Sequence, residues 1–314
     1  MKKINVLSLF DGMSCGQETL KELGIEIENY YASEVHKPAI LVTKHRHPNT
    51  IHVGDVRQLY GRDFAHIQLL IGGSPCQNFS MSGKRKGMTT KCMLIVDSLS
   101  KYLELKSEGF KFEGQSYLYW EYVRLYTEIN RIKIVRGEKP LLFMLENVKM
   151  QKHWADIISK GLKVEPIYIK SSLLGAARRD RYYWTNIPGV TVPKDMGILL
   201  GDVIHGAVTG YGIRRGEFPK GHPNFYYRHS KTKGNKANTV LTTIGGGHYG
   251  TNNVYMEDGT HRGLTIEECE MLQGLKPGYT KVEGVAKTQR MKMIGNGWDV
   301  NVIKHIFKNL ITKK

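Results

Sequence analysis

The amino-acid sequence predicts an α/β fold built on a doubly wound parallel sheet. In its first half, short apolar runs that end in turn residues alternate with stretches in which apolar residues recur at helical spacing. This alternation is typical of parallel strands joined by helices. A polar residue that can carry chemistry follows each apolar run, and ligands of such folds bind at the carboxyl ends of the strands.

Each predicted element rests on such a pattern. The predicted strands cover residues 4–10, 30–34, 51–55, 67–71 and 141–145. The chemically distinctive residues at their ends are Asp11, Glu34, Asp55, Cys76 and Glu146. Helices are expected at residues 17–23, 116–135, 265–272 and 300–310. After Pro188 the chain becomes rich in Gly, Tyr, His, Lys and Asn and loses helical spacing, which predicts a second, smaller and irregular domain.

The charge balance indicates a polyanionic partner. The chain of 314 residues has 46 Lys and Arg against 29 Asp and Glu, which gives a net charge of +17 and a pI near 9.6. Nucleic acid is the usual partner of such a protein, although a basic surface can also serve solubility alone. The basic residues are spread along the chain and are not gathered in a tail.

The cysteine pattern argues against a zinc site or a thioredoxin-like motif. The four cysteines are Cys15, Cys76, Cys92 and Cys269, and no two of them form a CxxC pair. Ser8 and Asp11 interrupt the N-terminal apolar run, so we expect neither a secretory signal nor a membrane span. Free cysteines without a signal indicate a reducing compartment. We therefore expect a cytoplasmic protein without a metal site.

The turn after the first strand, SLFDGMSCG, indicates a nucleotide-like ligand. Its glycines match neither the dinucleotide fingerprint nor the phosphate-binding loop. At the ends of the next strands, Glu34 is placed to bind ribose hydroxyls and Asp55 an adenine amino group. Together they favour an adenosine-type cofactor without phosphates, the alternative being solvated acids at strand ends.

Two further residues point to nucleophilic catalysis. Cys76 lies in the turn GGSPCQNFS, where a helix N-terminus would favour its thiolate form, whereas a lone buried cysteine is usually inert. Glu146 directly follows five apolar residues, and a carboxyl group at the mouth of a pocket can hold or deliver a proton near neutrality. A strand-end salt bridge is the alternative for Glu146.

Taken in order, these motifs resemble those of the cytosine-C5 DNA methyltransferases nearly end to end. The matching segments are SLFDG, GGSPCQNFS, the Glu146–Val148 motif ENV, AARRDRYYW, RGLTIEECEMLQG and IGNGWDV. The chain departs from many members at Ala177, where they have Gln, and at Gly297 and Trp298, where they read Ser-Val. The DNA methyltransferase 3 branch departs similarly at the first of these positions. Together the motifs are highly specific, although each is weak alone.

The resemblance implies a Rossmann-like sheet that binds S-adenosylmethionine and a smaller target-recognition domain. Residues 1–188 and 286–314 would form the catalytic domain and residues 189–285 the recognition domain. The implied activity flips a cytosine out of double-stranded DNA and methylates its C5 through a covalent bond between Cys76 and C6. Glu146 would bind and protonate N3, Arg181 would contact the base oxygen, Arg179 would support the site, and Asn147 would position the Pro-Cys loop.

The resemblance also assigns the remaining site residues. The catalytic set is Cys76, Glu146, Arg179, Arg181, Asn147 and Pro75. The cofactor set is Phe10, Asp11, Gly12, Gly16, Glu34, Val35, Asp55, Val56, Gly73, Asn296 and Trp298. DNA contacts are expected at Ser80, Lys84, Arg85, Lys86, Arg228, Lys231, Lys233, Lys236, Thr239, Thr242, Gly245, Gly246 and Gly247. Which of these reads bases, and which DNA sequence is recognised, stays open.

Three alternative functions remain. One is a tRNA cytosine-5 methyltransferase of the same fold, but the Cys-Phe-Thr motif usual in that branch is absent. Another is a catalytically inactive DNA-binding relative, although all four of Cys76, Glu146, Arg179 and Arg181 are present. A nicotinamide-dependent dehydrogenase lacks its glycine pattern here. The compact chain resembles a monomeric prokaryotic or phage enzyme, either solitary or paired with a cognate restriction endonuclease.

Overall fold

The computed structural model describes residues 3–75, 94–112, 114–211, 236–243 and 253–311. Over these ranges a seven-stranded sheet has the order β3-β2-β1-β4-β5-β7-β6. Its strands are β1 (Ile4–Leu9), β2 (Ile27–Ser33), β3 (Ile51–His52), β4 (Leu69–Gly72), β5 (Leu142–Val148), β6 (Ile167–Lys170) and β7 (Asp180–Thr185). The predicted α/β class with a large, mostly parallel sheet is confirmed.

One strand, β7, differs from the predicted parallel sheet in its direction. β1 to β5 pair in parallel, but β7 pairs antiparallel with both β5 and β6. The cause is the short connection between β6 and β7, which contains only a 3-10 turn at Ser171–Leu173 and a few further residues. A parallel neighbour would need a crossover of a dozen or more residues.

The helices are α1 (Cys15–Glu22), α2 (Lys37–Arg46), α3 (Leu99–Ser107), α4 (Tyr119–Val135), α5 (Lys152–Leu162), α6 (Ile266–Leu272), α7 (Lys287–Asn296) and α8 (Val300–Phe307). The predicted helix at 116–135 begins as a 3-10 turn, Ser116–Leu118, and the one at 300–310 ends as another, Lys308–Leu310. The predicted strand at 51–55 stops at His52, because Gly54 adopts a φ of 77° and Asp55 opens a 3-10 turn.

Both faces of the large sheet are covered, as in doubly wound folds. Alternate residues of β1 enter different cores: Val6 belongs to one hydrophobic cluster and Leu7 to the other. The first cluster takes in Leu20 of α1 and Ile303 of α8, and the second takes in residues of α4 and α5 such as Ile129. The described helices therefore pack on both faces of the sheet and not on its carboxyl edge, where ligands of such folds bind.

A smaller antiparallel sheet follows in the second half of the chain. It consists of β8 (Ala207–Tyr211), β9 (Asn253–Met256) and β10 (His261–Gly263), with β9 in the middle. The segment after Pro188 is therefore less irregular than predicted, while its proposed bounds as a domain, 189–285, stay a prediction. In the described ranges no helix is both long and apolar enough to cross a membrane.

Candidate active site

The turn that follows β1 is strained and tightly held. Phe10, Gly12 and Ser14 all adopt φ near 60°, which is uncommon for residues other than glycine. The Tyr30 hydroxyl donates a hydrogen bond to Asp11 Oδ1 at 2.8 Å, and the Ser14 hydroxyl donates to Asp11 Oδ2. Burial raises the pKa of Asp11 to about 6 despite these donors. The turn is thus fixed before any ligand arrives.

Glu34 joins this turn to the end of β2. Its Oε2 accepts a hydrogen bond from the Gly12 amide at 2.8 Å, and its Oε1 accepts from the amides of Val35 and His36 at 2.7 and 2.8 Å. A Cβ built on Gly12 would meet no atom within 4 Å, so the backbone faces open space beside the carboxylate. The Val35 side chain is exposed next to it.

The loop after β3 carries Asp55 and Val56. Asp55 caps the 3-10 turn by accepting from the Arg57 amide at 2.9 Å, and it also accepts from Arg57 Nε at 3.0 Å. The side-chain hydrogen bond from Arg57 lowers the pKa of Asp55. Buried Arg124 of α4, which belongs to none of the sequence motifs, donates to the Leu59 carbonyl at 2.8 Å and so anchors this loop to the helix.

Gly16 and Gly73 are required by packing around Trp298. A Cβ on Gly16 would lie 2.5 Å from Ile71 Cδ1 and 3.2 Å from Trp298 Cζ3. A Cβ on Gly73 would lie 2.8 Å from Trp298 Nε1 and 3.2 Å from Glu146 Oε2. The buried indole therefore lies between the two glycine turns at the strand ends. Asn296, the last residue of α7, is exposed.

Glu146 lies within β5, not after it as predicted, and it meets Arg181 of β7. The antiparallel register pairs Glu146 with Tyr183 and Val148 with Arg181, so Glu146 and Arg181 are diagonal neighbours on one face. Arg181 Nε is 2.8 Å from Glu146 Oε1, and only 7% of the Glu146 surface is exposed. The ion pair is therefore largely shielded from solvent, which strengthens its Coulomb attraction, while Glu146 Oε1 accepts no hydrogen bond of good geometry from the described residues.

Arg179 lies deeper than Arg181. It is 4% exposed, and its Nη1 donates to the Gly295 carbonyl at 3.1 Å. Burial lowers its pKa to about 10, and the neighbouring Arg181 guanidinium acts in the same direction. The Arg179 guanidinium therefore adds a positive charge to the site while itself staying out of contact with solvent.

Asn147 connects β5 to the Pro-Cys turn. Its Nδ2 donates to Ser74 Oγ at 3.0 Å and to the Ser74 carbonyl at 3.1 Å, while its Oδ1 accepts from the Val148 amide at 2.8 Å. These bonds fix the backbone that leads to Pro75. The next residue, Cys76, lies outside the described residues.

Most of the predicted DNA contacts also lie outside the described residues, namely Ser80, Lys84, Arg85, Lys86, Arg228, Lys231, Lys233, Gly245, Gly246 and Gly247. Thr239 is half-buried and Thr242 is exposed. The prediction for Lys236 is wrong: its ammonium is buried and donates to the carbonyls of Gly175, at 3.1 Å, and Ile198. Within the described residues, two of its three N–H donors go to backbone carbonyls, and this burial disfavours the predicted phosphate contact. No group of His, Cys, Asp or Glu side chains suited to a metal ion occurs in the described segments.

A model of the C-5 cytosine-specific DNA methylase family matches residues 4–113 and 195–312, which is most of the chain. Two curated relatives are also similar. The orphan methyltransferase M.Rho11sI of Bacillus phage rho11s is 34% identical over 117 residues, 36% of this chain and 23% of that protein. The orphan methyltransferase M.SPBetaI of Bacillus phage SPbeta is 32% identical over 154 residues, 48% of this chain and 34% of that protein. The match thus spans only about a quarter to a third of these relatives' own length.

Solved structures of low sequence identity share the fold. A mutant of Spodoptera frugiperda DNMT2 has a TM-score of 0.65 at 15% identity and covers 99% of this chain and 100% of its own. A putative DNA modification methyltransferase encoded within an Escherichia coli prophage has a TM-score of 0.60 at 18% identity, with 98% of each chain covered. These likenesses support the fold class and the order of its elements.

Proposed function

Because the chain belongs to the C-5 cytosine-specific DNA methylase family, we propose that it is a DNA (cytosine-5-)-methyltransferase acting on a cytosine flipped out of double-stranded DNA. The observation that carries the proposal is the buried Glu146–Arg181 pair, 2.8 Å between Oε1 and Nε. It lies one residue from Asn147, whose bonds to Ser74 hold the turn that leads to Cys76. A buried carboxyl group and a cation therefore lie beside the turn that immediately precedes the candidate nucleophile Cys76 in the sequence.

The residues at the β1 and β2 ends fit S-adenosylmethionine, which supplies an electrophilic methyl group when it is bound. Open space next to Gly12 gives the cofactor room, and the Glu34 carboxylate beside it has acceptor capacity for ribose hydroxyls. Asp55 and Val56 would meet the adenine, in the loop that Arg124 fixes. Absence of a phosphate-binding loop agrees with a cofactor that has no phosphates.

In the proposed reaction, the Cys76 thiolate forms a bond with C6 of cytosine, and the ring electrons move toward C5 and N3. Glu146 holds a proton at N3 and neutralises the charge that develops there, while Arg181 keeps the carboxyl group oriented and contacts the base oxygen. Methyl transfer to C5 would leave S-adenosylhomocysteine; the C5 proton would then pass to water, the C5–C6 double bond would re-form, and the C6–sulfur bond would break and free Cys76. Asn147, through its hydrogen bond to Ser74, would hold the turn that leads to the nucleophile.

DNA would approach the carboxyl edge of the sheet, with the chain's charge of +17 attracting its phosphates. Lys84, Arg85 and Lys86 follow the nucleophile in sequence and would close over the flipped base. Thr239 and Thr242 would belong to the recognition segment. The Bacillus phage relatives carry the word orphan in their names, which favours a solitary enzyme over one paired with an endonuclease. We expect a monomeric, cytoplasmic enzyme.

The experiment is transfer of radiolabelled methyl from S-adenosylmethionine to mixed duplex DNA, followed by bisulfite sequencing. Cys76→Ser is compared with the wild type, and Cys269→Ala serves as the matched control because Cys269 is buried in α6. We expect label at C5 in one sequence context for the wild type and the control, and none for Cys76→Ser. Label on tRNA but not on DNA would reassign the substrate, and cofactor binding without any transfer would favour an inactive DNA-binding protein.

A further inference from the structure

We propose that Arg124 is a positioning residue for the cofactor: two carboxylates of α4 direct its guanidinium at the 55–61 loop, and this gives the loop its binding shape before the cofactor arrives. The inference rests on the proposed function, because Asp55 and Val56 of this loop are the expected adenine contacts. It goes beyond that function by assigning cofactor affinity to a helix residue that belongs to none of the predicted catalytic, cofactor or DNA sets.

The 55–61 loop is built from short turns. One 3-10 turn covers Val56–Gln58, and the next begins at Gly61. The hydrogen bonds of such turns have poorer geometry than those of an α-helix, so the position of the loop depends on what it packs against. The side chains of Val56 and Leu59 enter the second hydrophobic cluster, but apolar burial has no direction and does not by itself fix backbone carbonyls.

Arg124 and Glu128, one helical turn apart on α4, bind the backbone of this loop. Arg124 Nη2 donates to the Leu59 carbonyl at 2.8 Å and lies 3.5 Å from the Val56 carbonyl. Glu128 Oε2 accepts from the Gly61 amide at 2.7 Å. A Cβ built on Gly61 would overlap Glu128 Cβ, so the loop approaches the helix as closely as glycine allows.

Two carboxylates fix the direction of the Arg124 guanidinium. Its Nε donates to Glu121 Oε2 at 2.7 Å, and its Nη1 donates to Glu128 Oε1 at 2.9 Å. Glu121 is fully buried and also accepts from the Tyr102 hydroxyl and the Lys106 ammonium of α3. Because the guanidinium is planar and its donors form a rigid fork, these bonds leave Nη2 directed at the loop carbonyls.

A loop that is ordered in advance raises cofactor affinity because binding then has a smaller ordering cost. If only a fraction of the free molecules holds the loop in its binding shape, the apparent affinity falls in proportion to that fraction. The bond from the Arg124 cation to a backbone carbonyl is charge-assisted, and bonds of this kind can change such a population by about tenfold to a hundredfold. The Arg124 contacts described above do not involve the reacting groups Glu146 and Arg181, so we expect the effect on binding and not on the chemical step.

The test compares Arg124→Met with the wild type in cofactor affinity, turnover and protection of the loop. We expect the Kd for S-adenosylmethionine and S-adenosylhomocysteine, measured by calorimetry, to rise by about tenfold to a hundredfold, and KM for S-adenosylmethionine to rise with it. The kcat at saturating cofactor should fall much less. In the absence of cofactor, hydrogen–deuterium exchange should become faster in peptides that span 55–61 and stay unchanged in those from β1 and β5.

Two other variants of α4 separate positioning from a general loss of stability. Lys133→Met removes a buried cation near the C-terminal end of the helix, where the ammonium lies 3.0 Å from Glu138. It should lower the melting temperature and leave the Kd for the cofactor as in the wild type. Exposed Arg131→Met is the matched control for loss of an arginine from the same helix and should behave as the wild type.

A double variant keeps the test decisive if Arg124→Met fails to fold. Adding Glu121→Gln removes the buried carboxylate that has lost a partner, so the double variant should fold. Because it still lacks the bond to the Leu59 carbonyl, it should bind the cofactor as weakly as we expect for Arg124→Met.

The outcomes distinguish this inference from the proposed function. If the wild type binds neither S-adenosylmethionine nor S-adenosylhomocysteine, the proposed function fails and the inference fails with it. If the wild type binds them and Arg124→Met binds them as tightly, the inference is overturned while the function stands. Equal loss of affinity in Lys133→Met would also overturn it, since general destabilisation would then be the cause. So would failure of both Arg124→Met and the double variant to fold, since Arg124 would then serve the fold itself.

Discussion

Asp11→Asn is expected to make the protein more stable near neutral pH. Asp11 is half-buried in the strained turn after β1, and removal of its carboxyl group from water raises its pKa from 3.8 to about 6 on folding. Each pKa unit corresponds to 1.36 kcal/mol, so the charged form costs the folded state about 3 kcal/mol. An amide of the same shape does not ionise, and it can still accept one of the bonds from Tyr30 and Ser14.

The direction of the pH effect follows from proton linkage. The folded state binds the Asp11 proton more tightly than the unfolded chain, so the stabilisation is complete below about pH 4 and is lost as the pH rises through about 6. Urea unfolding at about pH 4, 5, 6 and 7 should therefore show the difference in unfolding free energy between variant and wild type growing by about 3 kcal/mol. Because His47, whose pKa burial lowers to about 4, contributes with the opposite sign in both proteins, it cancels in this difference.

Asp156→Asn is the control for this prediction, because that carboxylate is exposed and pairs with Lys152 on the surface of α5. Its difference from wild type should change little over the same pH range. A difference for Asp11→Asn that is flat with pH, or that shrinks as the pH rises, would refute the assignment of a raised pKa to Asp11.

Three further changes test other parts of the site. Lys236→Met should lower the unfolding free energy by about 2 kcal/mol through loss of charge-assisted bonds to backbone carbonyls, and the salt dependence of DNA affinity should stay as in wild type. Gly295→Ala should lower both stability, by about 1–3 kcal/mol, and kcat, because its Cβ would lie 2.5 Å from backbone atoms of Leu241 and Thr242. Glu146→Gln should lower kcat by about 10²–10⁴-fold while leaving the fold intact, because the amide cannot hold the proton needed at N3.

For each of these three substitutions, one result would contradict the prediction. A shallower salt slope in Lys236→Met would restore this residue as a phosphate contact. Gly295→Ala with wild-type melting temperature would show that the Leu241 segment can move away, and exposed Lys292→Ala on the same helix α7 is its control. A kcat for Glu146→Gln near that of wild type would remove Glu146 from the reaction.

The sequence patterns predicted those parts of the fold that depend on local hydrophobic spacing. Apolar periodicity indicates the strands that precede Asp11 and Glu34 and the long helix that ends at Val135. The structure places all three within a few residues of their predicted bounds. The turns at the carboxyl edge were also predictable, because glycine and acidic residues follow the apolar runs.

The remaining features depend on contacts between residues distant in sequence. Nothing in the local pattern of residues 180–185 indicates that this strand runs antiparallel, since direction follows from the short connection in space. Lys236 resembles any exposed lysine in sequence, and only the surrounding carbonyls of Gly175 and Ile198 reveal its burial. The anchoring role of Arg124 had one available signal, its helical spacing from the acids Glu121 and Glu128.

The antiparallel pairing of β7 limits where the chain can accept inserted residues without losing the Glu146–Arg181 contact. Arg181 meets Glu146 because it lies two positions before Tyr183, the partner of Glu146 across the ladder, and so on the same face. One extra residue between Arg181 and Tyr183 would turn the guanidinium to the opposite face of the sheet. Two extra residues would restore the face but carry the group about 7 Å along the strand, beyond the reach of the carboxylate. Length changes should therefore accumulate in the β6–β7 turn and not in the strand, so a library of insertions scored for folding and for methyl transfer would mark the boundary between them.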